Sequence, residues 1–248
     1  MTGRSIDVVT FDLWYTLIAH DELYDGRIRA WRLEGMQAAL AAAGISRPLE
    51  QIERAYDDAE HLYLAERWAA NLDVDTGEQI KVLLRFLGVE PAPALVEALY
   101  DPYANAVLHV EPFLVQGADQ TLRELAGAGY RLALISNTSR TPGRALRETM
   151  RRMGILRRFE ATIFSNEVGY LKPDPHIFEA ALRAVGAEPA RAVHVGDHAE
   201  LDVRGARASG LRAVRVLQYA GRCDTSCTPD ACVETLADVC EAIARLDR

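Results

Sequence analysis

The stretch Val8-Val-Thr-Phe-Asp-Leu-Trp-Tyr-Thr-Leu17 decides the fold. With Ile6 it supplies the β-branched and aromatic residues of a buried central strand, which runs out into a loop carrying one carboxylate, Asp12. An acid at the carboxyl end of such a strand stands where open α/β sheets bind ligands. On this stretch alone, a turn-capping Asp12 is as good an explanation as a catalytic one. The rest of the chain has to decide.

After Leu17 the strand pattern stops and four helical patterns follow, with no convincing strand among them. The first carries Ile28, Trp31, Met36 and Leu40 near one face and ends at Gly44. The second places Leu49, Ile52, Tyr56, Ala59 and Tyr63 at intervals of three and four, hence on one stripe, with Pro48 suited to its first turn. The third holds Ile80, Leu83, Leu84 and Leu87 before Gly88, and the fourth runs from about Pro93 through Leu95 and Leu99. These make a helical bundle whose Tyr and Trp residues are expected in its core. His20 and His109 flank it as candidate hinge residues.

From Glu111 onward, helix and strand alternate. Strands are expected at Arg131–Asn137, Ala161–Phe164, Ala192–Asp197 and Leu211–Leu217, with helices between them. That alternation implies a mostly parallel sheet covered on both faces. The expected architecture is therefore α/β: a core of residues 1–18 and 111–248, with a helical domain of residues 19–110 inserted into it. No internal repeat or low-complexity segment interrupts the pattern.

In a parallel sheet all strand carboxyl ends share one edge. Asp12 arrives there from the first strand, Ser136 and Asn137 from the second, Lys172 from the loop after the third, and Asp197 and Asp202 from the fourth. Together they offer a carboxylate nucleophile, a hydroxyl and an amide for an anion, an ammonium to balance charge, and two acids for a cation. Each residue alone has a bland role as a turn, a helix cap or a solvated charge. Their conjunction is harder to explain that way.

Composition narrows the partners. With 49% hydrophobic and 26% charged residues, and no apolar run near the ~20 residues of a membrane span, a soluble globular protein is expected. The first residues lead into the strand without an apolar leader, so a cytoplasmic location is expected. A net charge of −8 without a basic stripe argues against nucleic acid as the main partner and leaves room for a local phosphate site. The expected partner is a small molecule rather than nucleic acid or a membrane. Oligomeric state is left open.

The four cysteines, Cys223, Cys227, Cys232 and Cys240, have spacings that match no zinc pattern well, and no histidine follows His198. Cys232 and Cys240 are expected on the inner face of a final helix. Cys223 and Cys227 fall in a loop, as free thiols or a disulfide.

The chain resembles the haloacid dehalogenase superfamily of hydrolases over nearly its whole length. Phe-Asp-Leu-Trp-Tyr-Thr-Leu looks like the first motif, Ile-Ser-Asn the second, Gly-Tyr-Leu-Lys-Pro-Asp-Pro the third and Val-Gly-Asp-His-Ala-Glu-Leu-Asp the fourth. The resemblance implies a Rossmann-like core, with the helical insert as a cap over the site. It also implies Asp12 as nucleophile, with Thr16, Ser136, Asn137 and Lys172 binding the transferred group. Mg²⁺ would be held by Asp12, the backbone carbonyl of Trp14 and Asp197, supported by Asp202.

The first motif departs from the phosphatase pattern. Its second aspartate, the general acid and base, is replaced by Trp14, and a usual glycine by Tyr15. Dehalogenases of the family also lack that acid and commonly carry an aromatic residue there, but their fourth motif resembles Ser-x-Asn without metal. Two acids beside Asp12 without a cation would be electrostatically costly, so a phosphatase is the favoured expectation. The alternatives are a 2-haloacid dehalogenase-type hydrolase and a catalytically weak binding or regulatory protein.

Overall fold

The computed structural model describes residues 4–222 and 228–248. In chain order the first half contains β1 (Val8–Phe11), β2 (Ile18–Ala19), α1 (Tyr24–Ala42), α2 (Leu49–Glu66), α3 (Thr76–Phe86), α4 (Pro93–Ala104) and β3 (Phe113–Leu114). There follow α5 (Ala118–Gly127), β4 (Arg131–Ser136), α6 (Gly143–Arg152), β5 (Ala161–Phe164), α7 (Ser165–Val168), α8 (Pro175–Val185) and β6 (Ala192–Gly196). A π-helical turn at Ala199–Arg204, α9 (Gly205–Ala208), β7 (Arg212–Val216), β8 (Ala231–Val233) and α10 (Val239–Leu246) complete the chain.

The sheet has six strands in the order β5-β4-β1-β6-β7-β8, and every neighbouring pair is parallel. Because side chains alternate along a strand, Val9 and Phe11 of β1 join one apolar layer with Leu132, Leu134, Val193 and Val195. Val8 faces the other way and joins Ala133, Ile135, Ile177 and Phe178. Both faces are thus covered, as the apolar strands require. After β1 the chain builds outward through β4 and β5, then returns to place β6 on the other side of β1. This reversal beside β1 is the kind of switch point at which open α/β sheets leave a crevice.

The helical insert leaves and re-enters the core through a short antiparallel ribbon not foreseen in the sequence, with Ile18 opposite Leu114 and Ala19 opposite Phe113. Met36, Leu40, Ile52, Tyr56, Leu83, Leu99 and Tyr103 form a separate apolar core among α1–α4. Trp31 does not join it. It is 39% exposed and stacks on His109 at 4.2 Å between ring centroids, so His109 is packed against α1. The buried stripe of α1 runs instead through Tyr24, Ile28, Arg32, Met36 and Leu40, each four residues after the last, and so contains a charge.

The C-terminal expectation needs a second correction. Cys232 lies in β8, on its exposed side, and is disulfide-bonded, because the chain there extends the sheet before the last helix begins. Cys240 is a half-buried free thiol in α10. Cys223 and Cys227 lie outside the described residues. Among the described residues, no helix is long and apolar enough to cross a membrane.

Candidate active site

Asp12 follows β1 directly, and its backbone N–H still donates to Val195 O at 2.9 Å, so the sheet ladder holds the first residue of the loop. From the segment between α7 and α8, Lys172 Nζ donates to Asp12 Oδ1 at 2.5 Å and to Asp202 Oδ1 at 2.6 Å. All three side chains are buried. Asn137 fixes the lysine's backbone: its amide donates to Lys172 O at 3.0 Å, and its Oδ1 accepts from Lys172 N–H at 2.7 Å. The amide expected to hold an anion thus also positions the lysine, with one of its two N–H groups spent on Lys172 O, and Asn137 lines the cavity at this edge.

Asp202 is held from three sides. Its Oδ1 also lies 3.2 Å from His194 Nε2, and its Oδ2 accepts from His198 N–H at 2.9 Å. Thr10 Oγ1 is 2.8 Å from His194 Nδ1, so a neutral imidazole protonated on Nε2 satisfies both neighbours, and burial lowers the pKa of His194 in keeping with that form. Gly196 makes this packing possible. A Cβ there would lie 2.3 Å from Asp202 Cγ.

The electrostatics are strongly polarised. Burial raises the pKa of Asp12, against the pull of the Lys172 ammonium, and the charge of Asp202 adds to the rise. Asp197 is raised by burial and then by its two carboxylate neighbours, Asp12 and Asp202. Burial works against the Lys172 ammonium, yet Asp12 and Asp202 outweigh it and hold its pKa above the usual value. Burial likewise works against the Asp202 carboxylate, but Lys172 and His194 overrule it and its pKa is lowered.

Carboxylate oxygens of Asp12, Asp197 and Asp202 lie within 4.8 Å of one another, with the single Lys172 ammonium among them. With all three ionised, three carboxylates and one ammonium would carry an excess of two negative charges, and the raised pKa values of Asp12 and Asp197 express the cost of that excess without a further cation. An all-oxygen set with that excess fits a hard divalent cation such as Mg²⁺.

The loop after Asp12 is tight: Leu17 and Ile18 both donate to Leu13 O, and Tyr15 N–H donates to Ile18 O. Tyr15 therefore adopts φ +58°, a left-handed conformation that costs a non-glycine residue about 1–2 kcal/mol. A glycine would take this backbone conformation without that cost. The tyrosine hydroxyl bonds His20 Nε2 at 2.6 Å, and His20 stacks on Tyr24, so His20 is part of an aromatic wall rather than a simple hinge.

A cavity of about 160 Å³ opens at this edge, lined by Asp12, Trp14, Asn137, Lys172, Asp197 and Asp202 among others. A second, of about 260 Å³, shares Trp14, Tyr15 and Asn137 with it and extends toward the insert, reaching Tyr24 and Arg32. Ser136 and Thr16 line neither cavity. Ser136 is fully buried and donates to Asn137 O, and the buried Thr16 hydroxyl has no partner among the described residues.

The insert is latched onto the loop after β4. Thr138 and Ser165 hydroxyls donate to Asp73 Oδ2 at 3.0 and 2.5 Å, Gln79 donates to Ser139 O, and Arg32 donates to Thr141 Oγ1. None of Asp73, Gln79, Tyr24 or Arg32 was singled out in the sequence. For Arg32 a signal existed: a charge four residues from both Ile28 and Met36 on an apolar stripe. Asp73 carries no comparable mark.

Comparison with known proteins gives concordant results. The chain matches the family described as haloacid dehalogenase-like hydrolase over residues 6–210. It is 29% identical over 218 residues to the glyceraldehyde 3-phosphate phosphatase of Methanopyrus kandleri, covering 85% of this chain and 84% of that protein. It is 37% identical over 150 residues to the phosphoserine phosphatase of Thermus thermophilus, covering 60% and 57%. A 2-haloacid dehalogenase from Pseudomonas syringae pv. Tomato DC3000 superposes with a TM-score of 0.71 at 25% identity, covering 97% of this chain and 99% of that one.

Proposed function

Because the chain belongs to the haloacid dehalogenase-like hydrolases, we propose that it is a Mg²⁺-dependent phosphatase of a small phosphorylated metabolite, with residues 19–110 as a helical cap on a core of residues 1–18 and 111–248. The observation that carries this reading is the close trio of buried Asp12 and Asp202 and half-buried Asp197 around one ammonium, whose excess charge calls for a cation. Phosphatases among the relatives support it.

In this reading Lys172 engages Asp12 Oδ1 and leaves Oδ2 to attack phosphorus. The bond from phosphorus to the leaving oxygen breaks as an aspartyl phosphate forms, and water then attacks that phosphorus to release phosphate and restore Asp12. Of the three Nζ protons, two are spent on Asp12 and Asp202, and the third is left for a phosphoryl oxygen. Asp197, Asp12 and the Trp14 carbonyl would hold Mg²⁺, with Asp202 in support. The ion would supply charge neutralisation to the phosphoryl group. Ser136, Asn137 and Thr16 remain assigned to substrate by family resemblance. Turnover of 4-nitrophenyl phosphate is expected to vanish in excess chelator and return with Mg²⁺. Undiminished turnover in chelator would sink the metal assignment.

Trp14 shapes the expected selectivity. An indole cannot act as general acid, and a missing acid or base typically costs ~10²–10⁴ in rate, most for a poor leaving group. Nitrophenyl and acyl phosphates should therefore be turned over at least ~10²-fold faster than alkyl phosphates. Equal rates across a leaving-group series would show that another group supplies the proton.

The second reading, a 2-haloacid dehalogenase, draws on Trp14 and on the dehalogenase superposition. A halide needs no proton, but Asp12, Asp197 and Asp202 would then share the single Lys172 ammonium with no second cation among them. Screening 2-haloacids beside phosphate esters with one preparation separates the two. Failure on both would favour a binding or regulatory protein.

A further inference from the structure

The larger of the two cavities is lined by a cation that pairs with no anion among the described residues. Arg32 is only 6% exposed, and its hydrogen bonds go to neutral acceptors: Tyr103 O at 3.0 Å, Tyr56 Oη at 3.4 Å and Thr141 Oγ1 at 2.9 Å. A guanidinium has five N–H donors, so two remain after these three bonds. Among the described residues it forms no ion pair. A buried charge without a partner is costly, and the cost is offset where a ligand brings the opposite charge.

A second, independent feature points to the same place. Tyr24 lines the cavity, is 4% exposed, and its hydroxyl has no hydrogen-bond partner among the described residues. The other charges on that wall do not supply the missing anion. Arg140 is a further cation and is already paired with Glu60 at 2.5 Å, while the Asp25 carboxylate is exposed and lies 3.9 Å from His20. The cavity shares Trp14, Tyr15 and Asn137 with the cavity of Asp12 and Lys172, so one small molecule can reach both.

We propose that Arg32 and Tyr24 form a subsite for a second anionic group on the part of the substrate that is not transferred, either a carboxylate or a second phosphate. This rests on the phosphatase reading, which places the transferred group against Asp12 and Lys172. Arg32 supplies two donors to the anion and Tyr24 one, and the aromatic wall of Trp14, His20 and Tyr24 excludes water around the spacer. The subsite selects acidic phosphate esters over neutral ones of the same length.

Binding of non-hydrolysable phosphonates, measured by calorimetry in Mg²⁺, tests this without relying on turnover. The probes are carboxyalkyl phosphonates, alkane bisphosphonates and methyl-terminated alkyl phosphonates of matched, increasing spacer length. The expected result is that one acidic series binds about 10- to 100-fold tighter than the neutral series, and which one does so identifies the anion. The preference should collapse toward unity in Arg32→Gln and fall several-fold in Tyr24→Phe. Arg32 also ties α1 to α4 and to Thr141, so Tyr24→Phe, which removes only a hydroxyl, decides the matter if Arg32→Gln does not fold. Equal binding of acidic and neutral probes to the wild type overturns the subsite, as does a preference that survives in Tyr24→Phe and in a folded Arg32→Gln. If 4-nitrophenyl phosphate is turned over while acidic and neutral probes bind alike, this inference fails and the phosphatase reading stands. Absence of that turnover counts against the phosphatase reading itself.

Discussion

Asp12→Asn is expected to reduce turnover by about 10⁴-fold or more while the melting temperature in chelator holds or rises. The activity loss follows from the proposed attack by Asp12 Oδ2, since an amide oxygen does not form the aspartyl phosphate. The stability effect follows from the electrostatics of the trio. Burial and Asp202 raise the folded-state pKa of Asp12 above its unfolded value, so the folded state binds that proton more tightly. Stability is then lost as pH rises from the unfolded pKa through the folded one, and at neutral pH the ionised carboxylate is a net cost. Asparagine removes the charge and keeps an oxygen to accept from Lys172 Nζ. Near-normal turnover would remove Asp12 as the nucleophile. A fall of many degrees in melting temperature would show instead that the Asp12–Lys172 pair stabilises the fold.

Lys172→Met should be far more damaging to stability. It leaves two buried carboxylates, Asp12 and Asp202, facing each other without the ammonium that now bonds both. Removing one partner from a buried pair typically costs about 3–5 kcal/mol, which in a chain of this size lowers the melting temperature by about 10 °C. Mg²⁺ should recover more stability in Lys172→Met than in wild type, since a cation near the trio then relieves a larger repulsion. Adding Asp12→Asn to Lys172→Met should recover part of the loss, because the two residues are in contact and their effects are not additive. Thermal melts of the wild type, both single variants and the double variant, with and without Mg²⁺, provide the check. A Lys172→Met melt within about 2 °C of wild type would refute the account of the trio.

The latch from the insert bears on both experiments. Asp73 is buried among Thr138 and Ser165 hydroxyls, its pKa raised by burial against their hydrogen bonds, and its neighbours Asn71 and Leu72 pair with the backbone around Leu171 and Tyr170. The loop that positions Lys172 is therefore braced by the insert as well as by Asn137.

The sequence by itself determined the alternation of strand and helix, the helical insert and the convergence of Asp12, Asn137, Lys172, Asp197 and Asp202 on one edge. Those features follow from local periodicity and chain direction: a parallel sheet sends every strand's carboxyl end to the same side, whatever the details of packing. The periodicity of α1 came close but put Trp31 on the inner stripe, because a bulky aromatic outweighs a charge when apolar residues are counted. Tertiary structure turned Arg32 inward instead.

Only the tertiary structure decided which groups touch. Lys172 reaches Asp12 across 160 residues of chain and Asp202 across 30, Asn137 bonds the backbone of Lys172 with both ends of its amide, and Asp73 enters the core from the insert. The short ribbon of β2 and β3 and the edge strand β8 likewise depend on partners distant in sequence. Contacts of this kind are selected by close packing and by the need of buried polar groups to find a partner, and neither leaves a periodic trace in the chain. Arg32 and Tyr24 stand apart, since folding buries them beside the cavity while leaving donors of the one and the hydroxyl of the other without a protein partner among the described residues.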